Sequence, residues 1–146
     1  MKLLVCIDLS PLAELVLDEV ITLAKPLSAS VVLLHVAEPE RMLTSGGAAA
    51  PEVHRTPPVD IEKRRATLDA AASRLTGAGL VVDTQLAITT ESFSETIVEH
   101  ASSTGARYVV MGSHGHGRAF ELLVGSTTQG VLRGAKVPVV VVPLRA

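Results

Sequence analysis

Leu3 to Ile7 is a short, unbroken apolar run that stops at Asp8. This is the pattern of a strand buried on both faces of a parallel sheet. Ser10-Pro11 reads as a helix start, a capping residue followed by proline at the first helical position. Leu12, Leu15, Val16, Val20 and Leu23 then keep a helical period up to Pro26. Ser30 to Val36 predicts a second buried strand. Asp60 to Thr76 predicts a charged amphipathic helix with Ile61, Leu68, Ala72 and Leu75 on one side, ended by Gly77 and Gly79. Leu80 to Ile88 is a third strand, alternating after Val82. Ser92-Phe93-Ser94-Glu95 is a capping box that opens a helix running to Thr104. Tyr108 to Met111 is a fourth strand, Ser126 to Arg133 a short helix, and Val137 to Val142 a closing strand.

The order is β-α-β-α-β-α-β-α-β. Strands alternating with helices imply a parallel, doubly wound sheet of five strands with helices on both faces. One segment breaks the rhythm. Glu38 to Pro58 holds Pro39, Gly46, Gly47, Pro51, Pro57 and Pro58 and reads as a long surface loop. It leaves the second strand beside Val36, which makes it a candidate lid. An open sheet of this class binds ligands beyond the carboxyl ends of its strands, where the strand order reverses. Asp8, Val36 and the segment from Gly112 all fall at such ends.

The chain has 146 residues, which is one domain's length, residues 1–146. Only 2% of residues are aromatic, so the core is aliphatic and stacking platforms for single-stranded nucleic acid are missing. A net charge of −2 argues against a basic nucleic-acid or membrane surface. Cys6, the one cysteine, excludes an intrachain disulfide and reads as a buried core residue. The amino-terminal apolar run is too short for a signal peptide, and no run approaches membrane-spanning length. The expectation is a cytoplasmic protein that engages neither nucleic acid nor membrane.

The chemistry concentrates in Met111-Gly112-Ser113-His114-Gly115-His116-Gly117-Arg118 and in Gly125-Ser126-Thr127-Thr128. Glycines let backbone approach a ligand, and successive amides in such turns form an anion-binding nest. A helix that starts at Ser126 adds amides and its dipole, with hydroxyls from Ser126, Thr127 and Thr128. The same residues also suit a tight turn and a capped helix. The phosphate-loop pattern is excluded, because no lysine lies here. The dinucleotide fingerprint is excluded too, because Asp8-Leu9-Ser10-Pro11 has no glycine. His114 and His116 lack a third ligand nearby, so no metal site is assigned. His35 reads as a satisfied core histidine, His54 and His100 as exposed, and Glu62-Lys63-Arg64-Arg65 as a solvated helix face.

The spacing Gly112-x-x-Gly115, nine residues, Gly125-Ser126 resembles the nucleotide-binding pattern of the universal stress protein family. Val5-Cys6-Ile7-Asp8, Leu34-His35-Val36, Val131-Leu132-Arg133 and Val137-Pro138-Val139 to Pro143 are similar to its first, second and closing elements. The resemblance covers the whole chain, with 38–58 the least similar part. It implies a Rossmann-like α/β fold, a homodimer through the closing strand Val137–Val142, and bound ATP, or ADP or AMP, with Mg²⁺ accompanying the phosphates. Carried over by position, Asp8 holds the ribose or adenine end and Val36 the adenine edge through its backbone. Met111 and Gly112 line the ribose. Gly115, Gly125, Ser126, Thr127 and Thr128 hold phosphates, with His114, His116, Gly117 and Arg118 in the loop beside them. One departure stands out. His116 and Glu121 occupy places where many family members carry basic residues, so the hold on a triphosphate is weaker and pH-dependent where His116 contributes. The resulting expectation is a nucleotide-binding stress-response or regulatory protein with an unknown protein partner and slow or no ATP turnover. The alternatives are a nucleotide-free homodimeric interaction module and a slow ATPase.

Overall fold

The computed structural model describes residues 1–39, 42–44, 53–55, 60–114 and 124–144. The elements are β1 (Lys2–Cys6), α1 (Ala13–Ala24), β2 (Ser30–Ala37), β3 (Met42–Thr44), β4 (Val53–Arg55), α2 (Ile61–Gly77), β5 (Val82–Ile88), α3 (Phe93–Ser103), β6 (Tyr108–Gly112), α4 (Ser126–Gly134) and β7 (Val139–Val142). Five strands form a parallel sheet in the order β5-β2-β1-β6-β7. The chain winds outward from β1 to β2 and β5, then returns to the other side of β1 for β6 and β7. The reversal therefore lies between β1 and β6.

Alternation along the strands sorts the core into two layers. Leu3, Val5, Val31 and Leu33 face α1 and α2, packing with Val16, Leu17, Leu68 and Leu75. Leu4, Cys6, Val32, Leu34 and Val109 face α3 and α4, packing with Ile97 and Val131. Central strands buried on both faces explain the unbroken apolar runs. Full burial of each such Leu or Val contributes about 1.5–3 kcal/mol.

Several boundaries differ from the sequence reading. The 38–58 segment contains an antiparallel pair, β3 with β4, so the chain carries seven described strands rather than five. The lid expectation for the rest of that segment falls largely outside the described residues. Helix α1 begins at Ala13, not at Pro11, and its N-cap Leu12 has no side-chain cap. Residues 10–15 instead form a tight turn, with Ala13 N–H to Ser10 O at 3.0 Å and Leu15 N–H to Leu12 O at 3.1 Å. Ser10 does not cap because its hydroxyl is turned back to Asp8. Strand β5 starts at Val82, since Val81 is 75% exposed. Ile61 is 47% exposed, because it is the first residue of α2 and lies beyond the layer that Leu68 and Leu75 reach. Of the capping box, the N-cap half is present: the Ser92 hydroxyl accepts the Glu95 amide at 3.2 Å. Among the described residues, no helix is long and apolar enough to cross a membrane.

Candidate functional site

Three strand ends converge at the reversal. After β1 the chain turns sharply at Leu9, whose φ is +59°. This lets Asp8 Oδ1 accept both the Ser10 amide at 3.0 Å and the Ser10 hydroxyl at 2.7 Å. Two bonds to one oxygen hold the carboxylate in a fixed orientation at the mouth.

At the end of β2, Val36 is buried. The last β1–β2 pair is Cys6 with Leu34, and Ile7 N–H still reaches Leu34 O at 3.0 Å. By strand alternation Val36, two residues on, directs its backbone polar groups to the same side as Leu34, past the end of β1. His35 between them is 4% exposed and satisfied. Its Nδ1 lies 2.9 Å from Ile7 O and its Nε2 lies 2.7 Å from Arg64 Nη1. A carbonyl only accepts and a guanidinium only donates, so the ring carries its proton on Nδ1 at these contacts. Arg64 is therefore not a purely solvated member of the 62–65 charge run. It docks the first turns of α2 on β2.

At the end of β6, Met111 is buried among the α3 and α4 layer, so it offers the site backbone rather than side chain. Gly112 lies close under Leu144: a Cβ there would stand 2.6 Å from Leu144 Cδ1. Ser113 takes up the ladder's end, donating its amide to Val142 O at 2.8 Å and accepting the Gly125 amide at 2.8 Å. The latter bond brings the two glycine segments together. Gly125 is the N-cap of α4, and its backbone runs so close that a Cβ would meet His114 Cα at 3.2 Å.

The amides of Ser126, Thr127 and Thr128 open α4 and have no carbonyl acceptor among the described residues, as is usual for the first amides of a helix. With the helix dipole they make a donor set for an anion. Ser126 is exposed and Thr127 half-buried, so both hydroxyls stand near the opening. The Thr128 hydroxyl does not. It is 2% exposed and donates to Gly112 O at 3.0 Å, because this position falls on the buried side of α4. Gly115, His116, Gly117 and Arg118 lie outside the described residues.

Sequence reasoning missed Ser10, Ser113 and Arg64. The Asp-x-Ser spacing at 8–10 is the legible signal for the first, since Asp side chains readily accept from backbone two residues on. Ser113 and Arg64 depend on contacts far along the chain. His100 was expected to be exposed. It is half-buried, with Nδ1 2.8 Å from Thr96 O one turn earlier. A groove of about 160 Å³ between α1 and α2 is lined by Leu9, Ser10, Leu17, Thr67, Ala71 and Arg74.

The family model for the universal stress protein family matches residues 1–143. The chain belongs to the universal stress protein family. Solved structures agree in fold. A universal stress protein family member from Burkholderia pseudomallei is 26% identical, with 97% of this chain and 95% of that chain covered at a TM-score of 0.71. The universal stress protein from Archaeoglobus fulgidus is 25% identical over 97% of this chain and 98% of that chain, with a TM-score of 0.73. A structure of the universal stress protein from the same organism in complex with dAMP is 25% identical over 97% of both chains, with a TM-score of 0.69. None of the curated protein sequences matches this chain.

Proposed function

We propose that this universal stress protein binds an adenine nucleotide at the carboxyl end of its sheet and serves as a nucleotide-binding regulatory protein. The observation that carries the reading is the Gly125 N–H to Ser113 O bond of 2.8 Å. It sets the first amides of α4 beside the end of β6, one strand from Asp8 and two from Val36. A phosphate chain at α4 and a base at the end of β2 then span the reversal in strand order. The dAMP complex of the Archaeoglobus fulgidus protein supports an adenylate as the ligand class. Asp8 would hold the ribose or adenine end, Val36 the base edge through its backbone, and Met111 and Gly112 the ribose. Gly115, Gly125, Ser126, Thr127 and the Thr128 amide would hold phosphates, flanked by His114, His116, Gly117 and Arg118. ATP is the proposed nucleotide, with Mg²⁺ arriving on its phosphates.

The groups at the start of α4 are amides and hydroxyls, which bind phosphate without supplying a base. The proposed state is therefore held nucleotide with slow or no hydrolysis. We further propose that residues 1–146 form one domain that works in the cytoplasm, with a protein partner that reads the bound state. Strand β7 favours a homodimer as well: it pairs only with β6 in the described sheet, and Val139, Val140 and Val141 are half-buried. Such an edge needs pairing or cover.

Calorimetric titration with Mg·ATP tests the site, alongside Gly125→Val, whose side chain would press on His114 backbone. Micromolar binding lost in the variant is expected. No binding by a folded wild type overturns the reading and leaves the nucleotide-free interaction module. Sedimentation showing a monomer at micromolar concentration overturns the dimer. Steady-state phosphate release above that of Gly125→Ala favours the slow ATPase alternative, and its absence favours nucleotide held without turnover.

A further inference from the structure

We infer that Ser113 is a positioning residue that sets the tautomer of His114, so that its Nε2–H becomes a neutral donor for a phosphate oxygen. The geometry stands by itself; the consequence for affinity rests on the nucleotide-binding reading above. Ser113 joins three parts of the fold at once. Its amide donates to Val142 O of β7 and its carbonyl accepts the Gly125 amide at the N-cap of α4. Its hydroxyl oxygen accepts the Leu144 amide at 3.2 Å and lies 2.9 Å from His114 Nδ1.

The hydroxyl has a single hydrogen. Leu144 N–H can only donate, so it occupies one of the two lone pairs of Ser113 Oγ and leaves the hydroxyl hydrogen available for another partner. In the inferred arrangement that hydrogen goes to His114 Nδ1, 2.9 Å away, whose role the ring tautomer sets. The lone pair of the neutral ring then lies on Nδ1 and the proton on Nε2. His114 Cα and Cβ lie against Gly125, which brings the base of this side chain beside the N-cap of the helix that the amides of Ser126, Thr127 and Thr128 open. A ring with Nε2–H adds a donor to that set. The opposite tautomer would present a lone pair, which repels a phosphate oxygen. The device adds hydrogen-bonding capacity toward an anion without adding a permanent charge. It also ties the ring to the edge strand, through Val142 and Leu144, so that the exits of β6 and β7 and the start of α4 hold one another in place.

The test is a long-range ¹⁵N–¹H correlation spectrum of the histidine rings at about pH 8, above the ordinary histidine range. The full chain, Ser113→Ala and Ser113→Thr are compared without ligand, and each is titrated with Mg·ATP. The expected wild-type ring has protonated Nε2 and unprotonated Nδ1. Ser113→Thr keeps that signature, and Ser113→Ala loses it to a mixture of tautomers. Affinity for Mg·ATP should fall about tenfold in Ser113→Ala and hold within about twofold in Ser113→Thr, the scale of one hydrogen bond to a charged group. Unshifted amide resonances for Val109 to Met111 separate this from loss of fold. A wild-type ring protonated on Nδ1, or an unchanged ring in Ser113→Ala, overturns the inference. Should Ser113→Ala not fold, the wild-type and Ser113→Thr spectra decide the tautomer. If the wild type shows the expected ring but binds no nucleotide, the nucleotide reading fails and the tautomer assignment stands.

Discussion

The ends of three helices provide an internal control on backbone strain. After α1, Ser28 N–H bonds to Lys25 O and Ala29 N–H to Ala24 O. After α2, Gly79 N–H bonds to Thr76 O and Leu80 N–H to Leu75 O. After α3, Gly105 N–H bonds to Ser102 O and Ala106 N–H to Ala101 O. All three are the same terminating motif, with the pivotal residue in the left-handed region. Its φ is +48° at Ser28, +92° at Gly79 and +67° at Gly105. Two ends use glycine and one forces a serine into that conformation. A left-handed L-residue costs about 1–2 kcal/mol, and glycine's greater freedom in the unfolded chain offsets about 0.5–1 of it. Ser28 is exposed, and its hydroxyl makes no hydrogen bond among the described residues. Ser28→Gly should therefore stabilise the protein by about 0.5–1 kcal/mol, raising Tm by about 1–4 °C for a chain of this size. Gly79→Ala and Gly105→Ala should lose a similar amount. No atom lies within 4 Å of a Cβ at either site, so the loss is conformational and not steric. Urea unfolding with a constant slope measures all three. Ser28→Ala, which keeps the Cβ, should change nothing. If Ser28→Gly is neutral or destabilising while Gly79→Ala is costly, left-handed strain is not what separates these ends.

Other outcomes follow from single contacts. Gly130→Ala would place a Cβ 2.4 Å from Ser94 Oγ and 2.6 Å from Ser94 Cβ, where α3 and α4 approach. A loss of about 1–3 kcal/mol is expected in urea unfolding, recovered largely in Gly130→Ala/Ser94→Gly. Thr128→Val removes the buried hydroxyl that bonds Gly112 O. A loss of about 1–3 kcal/mol is expected, and nucleotide affinity should weaken as the end of β6 loosens from α4. Burial raises the Cys6 thiol from 9.0 to about 12. From about 9 upward the unfolded chain releases a proton that the folded chain keeps, so Cys6 makes stability fall as pH rises towards 12. Unfolding free energy measured between these limits should decline less steeply in Cys6→Ala.

The sheet was legible because its central strands are apolar on both faces, and that pattern has no competing reading when helical periods separate the runs. Val5-Cys6-Ile7-Asp8 marks a strand end by composition alone. The turn that follows did not yield to the same reasoning. Ser10 has two possible partners, the helix amide ahead of it and the carboxylate behind it. Only the left-handed Leu9 decides for the carboxylate. The hairpin β3–β4 was hidden because three-residue strands carry no periodicity, and proline and glycine around them signal a loop equally well.

The site divides along the same line. The glycine spacing from 112 to 125 is a local pattern and was readable, as was the helix start at Ser126. What each group does is set by partners far along the chain. Thr128 looked like a phosphate donor because it stands with Ser126 and Thr127 in the first turn of a helix. Its register on α4 instead buries it over Gly112, 16 residues earlier. Arg64 looked solvated within a charge run, yet it reaches His35, 29 residues away on β2. Ser113 had no pattern at all, because its partners Val142 and Leu144 arrive only when the closing strand pairs with β6. Residues proposed to hold a nucleotide through backbone can be read from glycine and helix-start signals. Residues that aim those groups are fixed by strand order, and strand order is the part of a doubly wound sheet that local pattern leaves open. Affinity in this protein should therefore be as sensitive to Ser10 and Ser113, which the motif does not emphasise, as to the residues within it.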